Sequence, residues 1–336
     1  MHSYIARTSR RYISAFAAGA VIGLTVLQAG VLHAQDASYP SRPVVWVVPY
    51  AAGAPADIAF RKIAEGMTAP LGATIVVQNR PGAGATIGTT EVAKARPDGY
   101  TILATLNDPL VSLVALMDPL PYNPAKDFVF ITKLTQSKAA MIAGPHIKAR
   151  TLRELIDEAK AMPNGMAYGS FGVGSFPHII MEALSRRTGA KFVNVNYRGS
   201  PQAIQELLSG QTGVTFGAAA AVQYIKEGKI RLIVQLGEER GLLGEVPTFT
   251  ESGFNDVLLT TPLWSGLVAP AGTPRAAVEK LAAAARVSLE REDVQDFLVA
   301  IAFERVGNSP EEFTAQWRKE YETIPAAIRS LGITAN

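Results

Sequence analysis

Two loops rich in glycine, alanine and proline carry the residues of this 336-residue chain that are best suited to binding an anion. Residues 50–57 read Tyr-Ala-Ala-Gly-Ala-Pro-Ala-Asp, and residues 169–178 read Gly-Ser-Phe-Gly-Val-Gly-Ser-Phe-Pro-His. Small side chains leave backbone N–H groups accessible, and a helix that follows such a loop adds a partial positive charge at its N-terminus. Both loops therefore predict contacts with a carboxylate, although the same composition also fits a tight strand-to-helix turn.

Side chains of these loops add specific candidates. Asp57 is expected to cap the helix that follows the first loop. In the second loop Ser170 and Ser175 can donate hydrogen bonds to a carboxylate, or Ser175 can instead cap the next helix. Aromatic residues of both loops can wall an apolar ligand or pack in the core. The predicted ligand-binding residues of the two loops are Tyr50, Ala51, Ala54, Pro55, Ala56, Asp57, Ser170, Phe171, Gly174, Ser175 and His178.

Two further loops are expected to line the same site. Arg198 and Gly199 follow a predicted strand, and the guanidinium of Arg198 can pair with a carboxylate through two hydrogen bonds. A salt bridge at the surface or between domains is the alternative role of Arg198. Gly217 and Ala218 follow Phe216 and can contribute only backbone groups.

The residues that enzymes commonly use are few. The chain has no cysteine, which excludes disulfides, thiolate nucleophiles and cysteine-ligated metals. His146 and His178 lack metal-ligand spacing, and no Gly-x-Ser-x-Gly motif surrounds either loop serine. We therefore predict no catalytic residue, metal or cofactor. The alternative is an exported hydrolase or isomerase in which His178 is the base for Ser175 as nucleophile.

Strands that alternate with helices position these loops. Residues 44–48 form a continuous β-branched and aromatic run, typical of a strand buried on both faces. The alternation predicts mostly parallel, doubly wound sheets, and it restarts in the second half of the chain. Ligands of such sheets bind beyond the carboxyl ends of strands, where both loops lie. We predict a first domain of residues 36–137 with 262–336, a second domain of residues 138–261, and a ligand cleft between them.

The last part of the chain is predicted to complete the first domain. Residues 262–269 read as one strand, and two closing helices are expected at residues 274–290 and 310–331. This arrangement requires the chain to cross between the domains twice, near residues 135–140 and 258–264.

The first 34 residues have the pattern of a cleavable export signal. Arg7, Arg10 and Arg11 make this leader positive, and an apolar run follows from about residue 13 to residue 32. Cleavage is predicted after Ala34, which precedes a polar residue. An uncleaved membrane anchor is the alternative, because the apolar run is about long enough to span a bilayer. Residues 9–13, Ser-Arg-Arg-Tyr-Ile, resemble a twin-arginine signal, so the twin-arginine and general export routes both remain open.

Length and charge narrow the class of the mature chain. Removing 34 of the 336 residues leaves 302, which is enough for two modest domains. The net charge of the whole chain is +3, and the three leader arginines account for it, so no basic field remains that would favour nucleic acid. No second stretch of about 18 uncharged apolar residues occurs, which predicts a soluble mature chain.

Short motifs along nearly the whole mature chain resemble one family. They include Tyr-Pro-Ser-Arg-Pro at residues 39–43, Asn-Arg-Pro-Gly-Ala-Gly at 79–84, Arg-Pro-Asp-Gly-Tyr at 96–100, Tyr-Arg-Gly at 197–199 and Ala-Pro-Ala-Gly-Thr-Pro at 269–274. With the two loops, these motifs make the chain similar to the substrate-binding receptors of tripartite tricarboxylate transporters, the Bug-type receptors. The chain departs from the family pattern at Tyr50, where Phe is commoner, and at Ala54-Pro55, which replaces a second glycine.

The resemblance implies a fold and a mode of binding. The fold is a periplasmic binding protein of type II-like architecture, with two doubly wound α/β domains that close on a ligand in the cleft. In the family, loops of both domains hold a ligand carboxylate, largely through backbone groups and ordered water. This role carries over to residues 50–57 and 170–175, and extends to Arg198, Gly199, Gly217 and Ala218.

Residues and resemblance together predict a monomeric periplasmic solute-binding protein. Its ligand is expected to be a small carboxylate, either a di- or tricarboxylic acid or an aromatic acid. Its partners are expected to be the membrane components of a tripartite tricarboxylate-type transporter. A ligand-sensing adaptor for a membrane kinase is an alternative, and the sequence does not separate it from transport because both roles use the same closure.

Overall fold

The computed structural model describes residues 39–242 and 246–333. The predicted export signal at residues 1–34 and its cleavage point lie outside these ranges. Within them, no helix is both long enough and apolar enough to cross a membrane. The described residues form two β-sheets with helices packed against both.

Six strands form the first sheet, and they come from both ends of the described chain. Their order is β11-β4-β10-β3-β1-β2. The strands are β1 (Val44–Val48), β2 (Ile75–Asn79), β3 (Thr101–Leu106), β4 (Phe128–Ser137), β10 (Leu263–Pro270) and β11 (Glu304–Arg305). β1 pairs in parallel with β2 and β3, whereas β10 runs antiparallel to β3 and β4. The apolar residues of β1 follow from its position between β3 and β2, inside the sheet, which buries the strand.

Five strands form the second sheet, in the order β7-β6-β8-β5-β9. They are β5 (Ala140–Ala143), β6 (Met166–Ser170), β7 (Phe192–Asn196), β8 (Val214–Phe216) and β9 (Arg231–Gln235). β6 is parallel to β7 and β8, but β5 is antiparallel to β8 and β9. Both sheets are therefore mixed, and the expectation of mostly parallel sheets was wrong. That expectation came from strand–helix alternation, which the directly joined strands β4 and β5 do not follow.

Helices divide between the two sheets and define two lobes. The first lobe is the first sheet with the helices that pack on it, and the second lobe is the second sheet with its own helices. First-lobe helices are α1 (Pro55–Leu71), α2 (Thr86–Ala93), α10 (Arg275–Leu289), α11 (Glu292–Ala300) and α12 (Pro310–Ser330). Second-lobe helices are α6 (Phe176–Thr188), α7 (Ser200–Leu208) and α8 (Ala218–Lys226). The remaining helices are α3 (Leu113–Leu116), α4 (Pro124–Asp127), α5 (Leu152–Ala161) and α9 (Val257–Thr260).

Helix α1 shows how the sequence sets the packing. Its buried residues include Phe60, Ile63 and Met67, which the helical repeat places on one face. A side chain at Gly66 would lie 2.3 Å from Ser288 Oγ, so only glycine allows this close approach of α1 to α10. The Ser288 hydroxyl donates to the Ile63 carbonyl across the same contact, at 2.8 Å.

The chain passes between the two sheets twice. It leaves β4 and enters β5 through Lys138 and Ala139, and it returns between β9 and β10. Helix α9 lies on this return and packs against α6 of the second lobe and α12 of the first. Lys138 joins the two crossings, because its Nζ donates to the Arg240 carbonyl at 3.2 Å. The last part of the chain does complete the first sheet, but α11 and β11 were not predicted.

Candidate functional site

A cleft of about 200 Å³ lies between the two lobes. The loop before α1, the residues after β3 and the start of β10 form its first-lobe side. The starts of α6, α7 and α8 form its second-lobe side. Phe171 and Phe176 pack edge to face with 5.7 Å between ring centroids, and Trp264 faces the cleft from β10. The wall is mostly apolar.

Four helices begin at this cleft. Pro55 is the first residue of α1, Phe176 of α6 and Ser200 of α7, and Gly217 is the N-cap of α8; all four residues line the cleft. None of the four helices has a side-chain hydrogen bond at its N-cap. The first N–H groups of a helix have no partner within it, and they carry a partial positive charge. The cleft therefore lies at the N-terminal ends of helices from both lobes. A proline removes one N–H donor from each of α1, α6 and α7, and the Ala220 N–H of α8 donates to the Gly217 carbonyl, so the other first-turn N–H groups are the candidate donors.

Tyr50 supports the cleft from behind. Its hydroxyl accepts the Leu106 backbone N–H at 3.0 Å and lies 3.1 Å from Thr105 Oγ1. Burial, with the negative charge of Asp108 nearby, raises the pKa of Tyr50 well above 10, so the hydroxyl stays protonated. Leu106 lines the cleft, and Tyr50 fixes the backbone at that position.

Asp57 holds the first loop together. It is 2% exposed, and its carboxylate accepts from the Gly53 N–H at 2.8 Å, from Asn79 Nδ2 at 2.8 Å and from Arg61 Nε at 3.1 Å. Burial alone would raise the pKa of Asp57, but these hydrogen bonds outweigh it and lower the pKa. The expected capping role was wrong, because Ala54 is the N-cap and Asp57 lies two residues inside α1.

The other residues of the first loop have small or apolar side chains, and their backbone groups form its hydrogen bonds. The Ala51 carbonyl accepts the Ala54 N–H at 3.1 Å, and Ala56 lies in the first turn of α1. Pro55 is the residue of this loop that lines the cleft.

Side chains of the second loop are engaged within the second lobe. Ser175 Oγ donates to the Gly172 carbonyl at 2.7 Å and accepts the Phe171 N–H at 3.2 Å. Ser170 is fully buried, and its hydroxyl donates to Asn196 Oδ1 at 2.7 Å. The expectation that these hydroxyls point at a ligand is not met in this arrangement. Phe171 does line the cleft.

Gly174 and His178 make further contacts of the second loop. The Gly174 N–H donates to His178 Nδ1 at 2.9 Å. A side chain at Gly174 would lie 2.8 Å from Leu116 Cδ1, so the loop also packs closely against α3.

The arrangement of Ser175 and His178 contradicts the hydrolase alternative. A general base must accept the proton of its nucleophile, yet His178 Nδ1 already accepts a backbone N–H and its Nε2 lies 3.9 Å from Glu182. Burial lowers the pKa of His178, which keeps the ring neutral near pH 7. Within residues 39–242 and 246–333 no group of three or more His, Cys, Asp or Glu side chains could hold a metal ion.

The third and fourth loops differ in their relation to the cleft. The Arg198 side chain is exposed, forms no ion pair with a described residue and does not line the cleft. The Arg198 backbone N–H donates to Gln202 Oε1 at 3.1 Å. Gly199 is the N-cap of α7, and Ala218 is the first residue of α8. Gly217 lines the cleft with φ of +125°, a conformation that favours glycine.

Several wall residues were not predicted from the sequence. Asn107 and Asp108 follow β3 and line the cleft, as do Trp264 of β10 and Phe303 before β11. Burial raises the pKa of Asp108 to about 6. A signal for the first pair was present: β3 is parallel to β1, so the two strands end at the same edge of the sheet. Trp264 lies at the start of an antiparallel strand, which no local pattern reveals.

Two α/β lobes, joined by two crossings around a cleft that is walled by both, define a two-domain solute-binding protein. Residues 59–332 match the model of a family described as the tripartite tricarboxylate transporter family receptor. The chain is 32% identical over 258 residues to protein BugT of Bordetella pertussis. The matched residues cover 76% of this chain and 78% of BugT. The chain therefore belongs to this family of solute-binding receptors, as its motifs predicted.

Solved structures agree with this assignment. The chain is similar to Rpa4515 of R. palustris with adipate, at a TM-score of 0.77 and 26% identity over 88% of this chain and 99% of that one. It is also similar to MatC from Rhodopseudomonas palustris with bound malate, at a TM-score of 0.74 and 29% identity over 86% and 100% of the two chains. The predicted fold class is confirmed.

Proposed function

We propose that this receptor captures a small carboxylate in the periplasm and delivers it to the membrane components of a tripartite tricarboxylate-type transporter. The observation that carries the proposal is the convergence of four helix N-termini without side-chain caps on one apolar cleft. No lysine, arginine or histidine lines that cleft among the described residues. Uncharged donors, namely backbone N–H groups with polar side chains such as Asn107 and Ser200, are therefore the ones that would hold an anionic group.

Such donors suit a carboxylate for two physical reasons. Helix N-termini attract negative charge, and the effect is greatest where the site is partly buried. The apolar wall lowers the local dielectric, which strengthens each hydrogen bond to the anion. The Ser200 hydroxyl, which has no partner among the described residues, can add one side-chain donor at the start of α7.

Closure of the lobes would complete the site. In this proposal residues 36–137 with 262–336 move as one domain and residues 138–261 as the other, about the two crossings. Pro55 lies on one side of the cleft and Gly217 on the other, so a ligand that bridges them favours the closed state by its contacts to both.

Export is the second part of the proposal. Residues 1–34 act as a signal peptide that is cleaved after Ala34, and the mature protein is a periplasmic monomer. N-terminal sequencing of the periplasmic protein tests the cleavage point. Replacing Arg10 and Arg11 together by lysine separates the export routes, because a twin-arginine signal would lose function and a general signal would keep its positive charge.

The solved relatives guide the choice of candidate ligands. One contains adipate and another malate, which supports a dicarboxylic acid. The aromatic side chains in the wall support an aromatic acid equally well.

A thermal-shift screen of mono-, di-, tricarboxylic and aromatic acids tests the proposed ligand class. A ligand at one hundred times its Kd should stabilise the native state by about 2.7 kcal/mol. If no acid raises the melting temperature, carboxylate capture is refuted. Mass spectrometry of whatever co-purifies would identify the ligand directly. Recovery of transporter subunits in a pull-down supports delivery, whereas recovery of a membrane kinase would assign the receptor to signalling.

A further inference from the structure

Asp108 is the one charged side chain among the described residues that line the cleft. It follows β3 and lies beside Asn107, whose side chain also lines the cleft. The Asp108 carboxylate accepts no hydrogen bond and forms no ion pair with any residue in the ranges 39–242 and 246–333. A carboxylate in an apolar wall is costly unless it has a partner. A site proposed to bind an anion would not need such a group.

The cleft has two chemically different ends. Beyond Asp108 it continues into a smaller cavity of about 40 Å³, which Asn107 and Asp108 also line. Pro55, Ser200 and Gly217 line only the larger cavity. Three helix N-termini are thus at one end, and an unpaired acid is at the other, where the two cavities meet.

We propose that Asp108 determines specificity by binding a cationic group of the ligand, so that the ligand is a zwitterion with a carboxylate and an amino group. Its carboxylate would face the starts of α1, α7 and α8, and its ammonium group would pair with Asp108. The aromatic wall between the two ends suits an aliphatic or aromatic body. The inference rests on the proposed carboxylate capture and narrows it to amino acids.

Neighbouring groups leave the charge of Asp108 unbalanced. In the first lobe the charge of Asp108 acts on Tyr50, and the Tyr122 hydroxyl donates to the carbonyl of the adjacent Pro109. Burial raises the pKa of both tyrosines well above 10. On α6, His178 is kept neutral by burial, and Glu182 lies beside it. At the return crossing Asp256 caps α9, and Glu320 of α12 accepts from Trp264 Nε1 at 2.6 Å. None of these groups carries a positive charge. Lys133, whose charge acts on Glu320, donates to Gln136 Oε1 at 3.1 Å, and burial alone accounts for the raised pKa of Asp108.

Matched probes separate an amino acid from a dicarboxylate. The wild-type protein and Asp108→Asn are titrated by calorimetry with 6-aminohexanoate against adipate, and with 4-(aminomethyl)benzoate against terephthalate. Each pair differs mainly in whether the second end is an ammonium or a carboxylate. Asp157→Asn, which removes an exposed acid of α5 away from both cavities, is the control.

The expected result is a reversal of preference. At pH 7.5 the wild type and the control bind the amino probe of at least one pair about tenfold or more tighter than its dicarboxylate. Asp108→Asn weakens the amino probe by about 10- to 100-fold and leaves the dicarboxylate unchanged or tighter, because hydrogen bonds between charged groups are among the stronger ones. Lowering the pH from 7.5 to 5 weakens the amino probe about tenfold in the wild type, since one pH unit below a pKa of about 6 protonates most of the carboxylate.

Other outcomes overturn the inference or its basis separately. If acids bind but the wild type prefers the dicarboxylates, or if Asp108→Asn changes neither probe, the inference fails and carboxylate capture stands. If no probe and no acid of the wider screen binds a protein that unfolds cooperatively, carboxylate capture fails and the inference with it. The melting curve of each unliganded variant shows that the protein is folded.

Discussion

Asp57 is a buried carboxylate that stabilises the loop at residues 50–57. It accepts hydrogen bonds from Gly53, Arg61 and Asn79, and an asparagine would turn part of this acceptor set into a donor. We expect Asp57→Asn to lower the free energy of unfolding by about 1–3 kcal/mol at pH 7, because buried donors lose their partner. Ligand affinity should fall as well, since α1 begins in this loop. Urea unfolding at pH 7 measures the first effect.

The pH dependence gives an independent test of Asp57. Its folded pKa lies below the ordinary value of 3.8, so its contribution to stability is present above that value and is lost as the pH falls through the folded pKa. The difference between wild type and Asp57→Asn should therefore shrink in acid. A difference that is the same at pH 7 and in strong acid would contradict the role assigned to the carboxylate.

Asp108 should behave in the opposite way in the unliganded protein. Its folded pKa of about 6 lies above the ordinary 3.8, so the native state binds the extra proton. The free energy of unfolding that this proton contributes is fully present below pH 3.8 and is lost as the pH rises through about 6. We expect Asp108→Asn to be at least as stable as the wild type at pH 7.5. Unfolding free energies measured from pH 4 to 7.5 should decline in the wild type relative to the variant.

The sequence located the loops that reach the cleft better than the side chains that line it. Pro55, Phe171 and Gly217 line the cleft as loop composition suggested, because backbone exposure follows from small residues. The polar side chains did not follow, since a short serine or aspartate satisfies neighbouring N–H groups first, as Ser175 does. Asp108 was missed because nothing local distinguishes an acid that faces a cleft from one in a turn.

At the scale of elements, the start of α8 depends on one glycine. Gly217 has φ of +125°, and a side chain there would lie 2.9 Å from Ser200 Cβ at the start of α7. We expect Gly217→Ala to cost more than about 1 kcal/mol of stability and to weaken the best-binding acid, because two helix N-termini would shift. Calorimetry and urea unfolding measure the two effects.

A matched glycine separates backbone strain from the steric contact. Gly253 also has positive φ, of +87°, but a side chain there would meet no atom within 4 Å, and it does not line the cleft. Gly253→Ala should lose stability through strain alone and keep full affinity. Equal loss of affinity in the two variants would show that the start of α8 does not contact the ligand.

Elements were predictable where the pattern was regular. The strand predicted at residues 44–48 has the bounds of β1, and the closing helices predicted at residues 274–290 and 310–331 agree with α10 and α12 within about one residue. β4 and β5 were missed because they cross between sheets without an intervening helix, and β4 mixes apolar residues with Thr132, Lys133 and Thr135. Those polar residues are buried by tertiary pairing with β10, which local propensity does not encode.

At the scale of the molecule, closure should be visible in solution. A compact monomer of 302 residues has a radius of gyration of about 19 Å. We expect small-angle scattering of the mature protein to give about this value and to show a decrease when the best-binding acid saturates it. An unchanged radius would contradict closure, and a value well above 19 Å at low concentration would contradict a monomer.

The place of β10 also governs the order in which a nascent chain can fold. β10 lies between β3 and β4 in the first sheet, yet 125 residues separate Ser137 from Leu263. At ribosomal rates the missing strand follows β4 after about 6–25 s. All strands of the second sheet have been synthesised once β9 has been made. At that point β10, the strand that pairs with the edge of β3, has not yet been synthesised. During that interval β3 presents an unpaired edge of backbone N–H and C=O groups, before the cleft has formed.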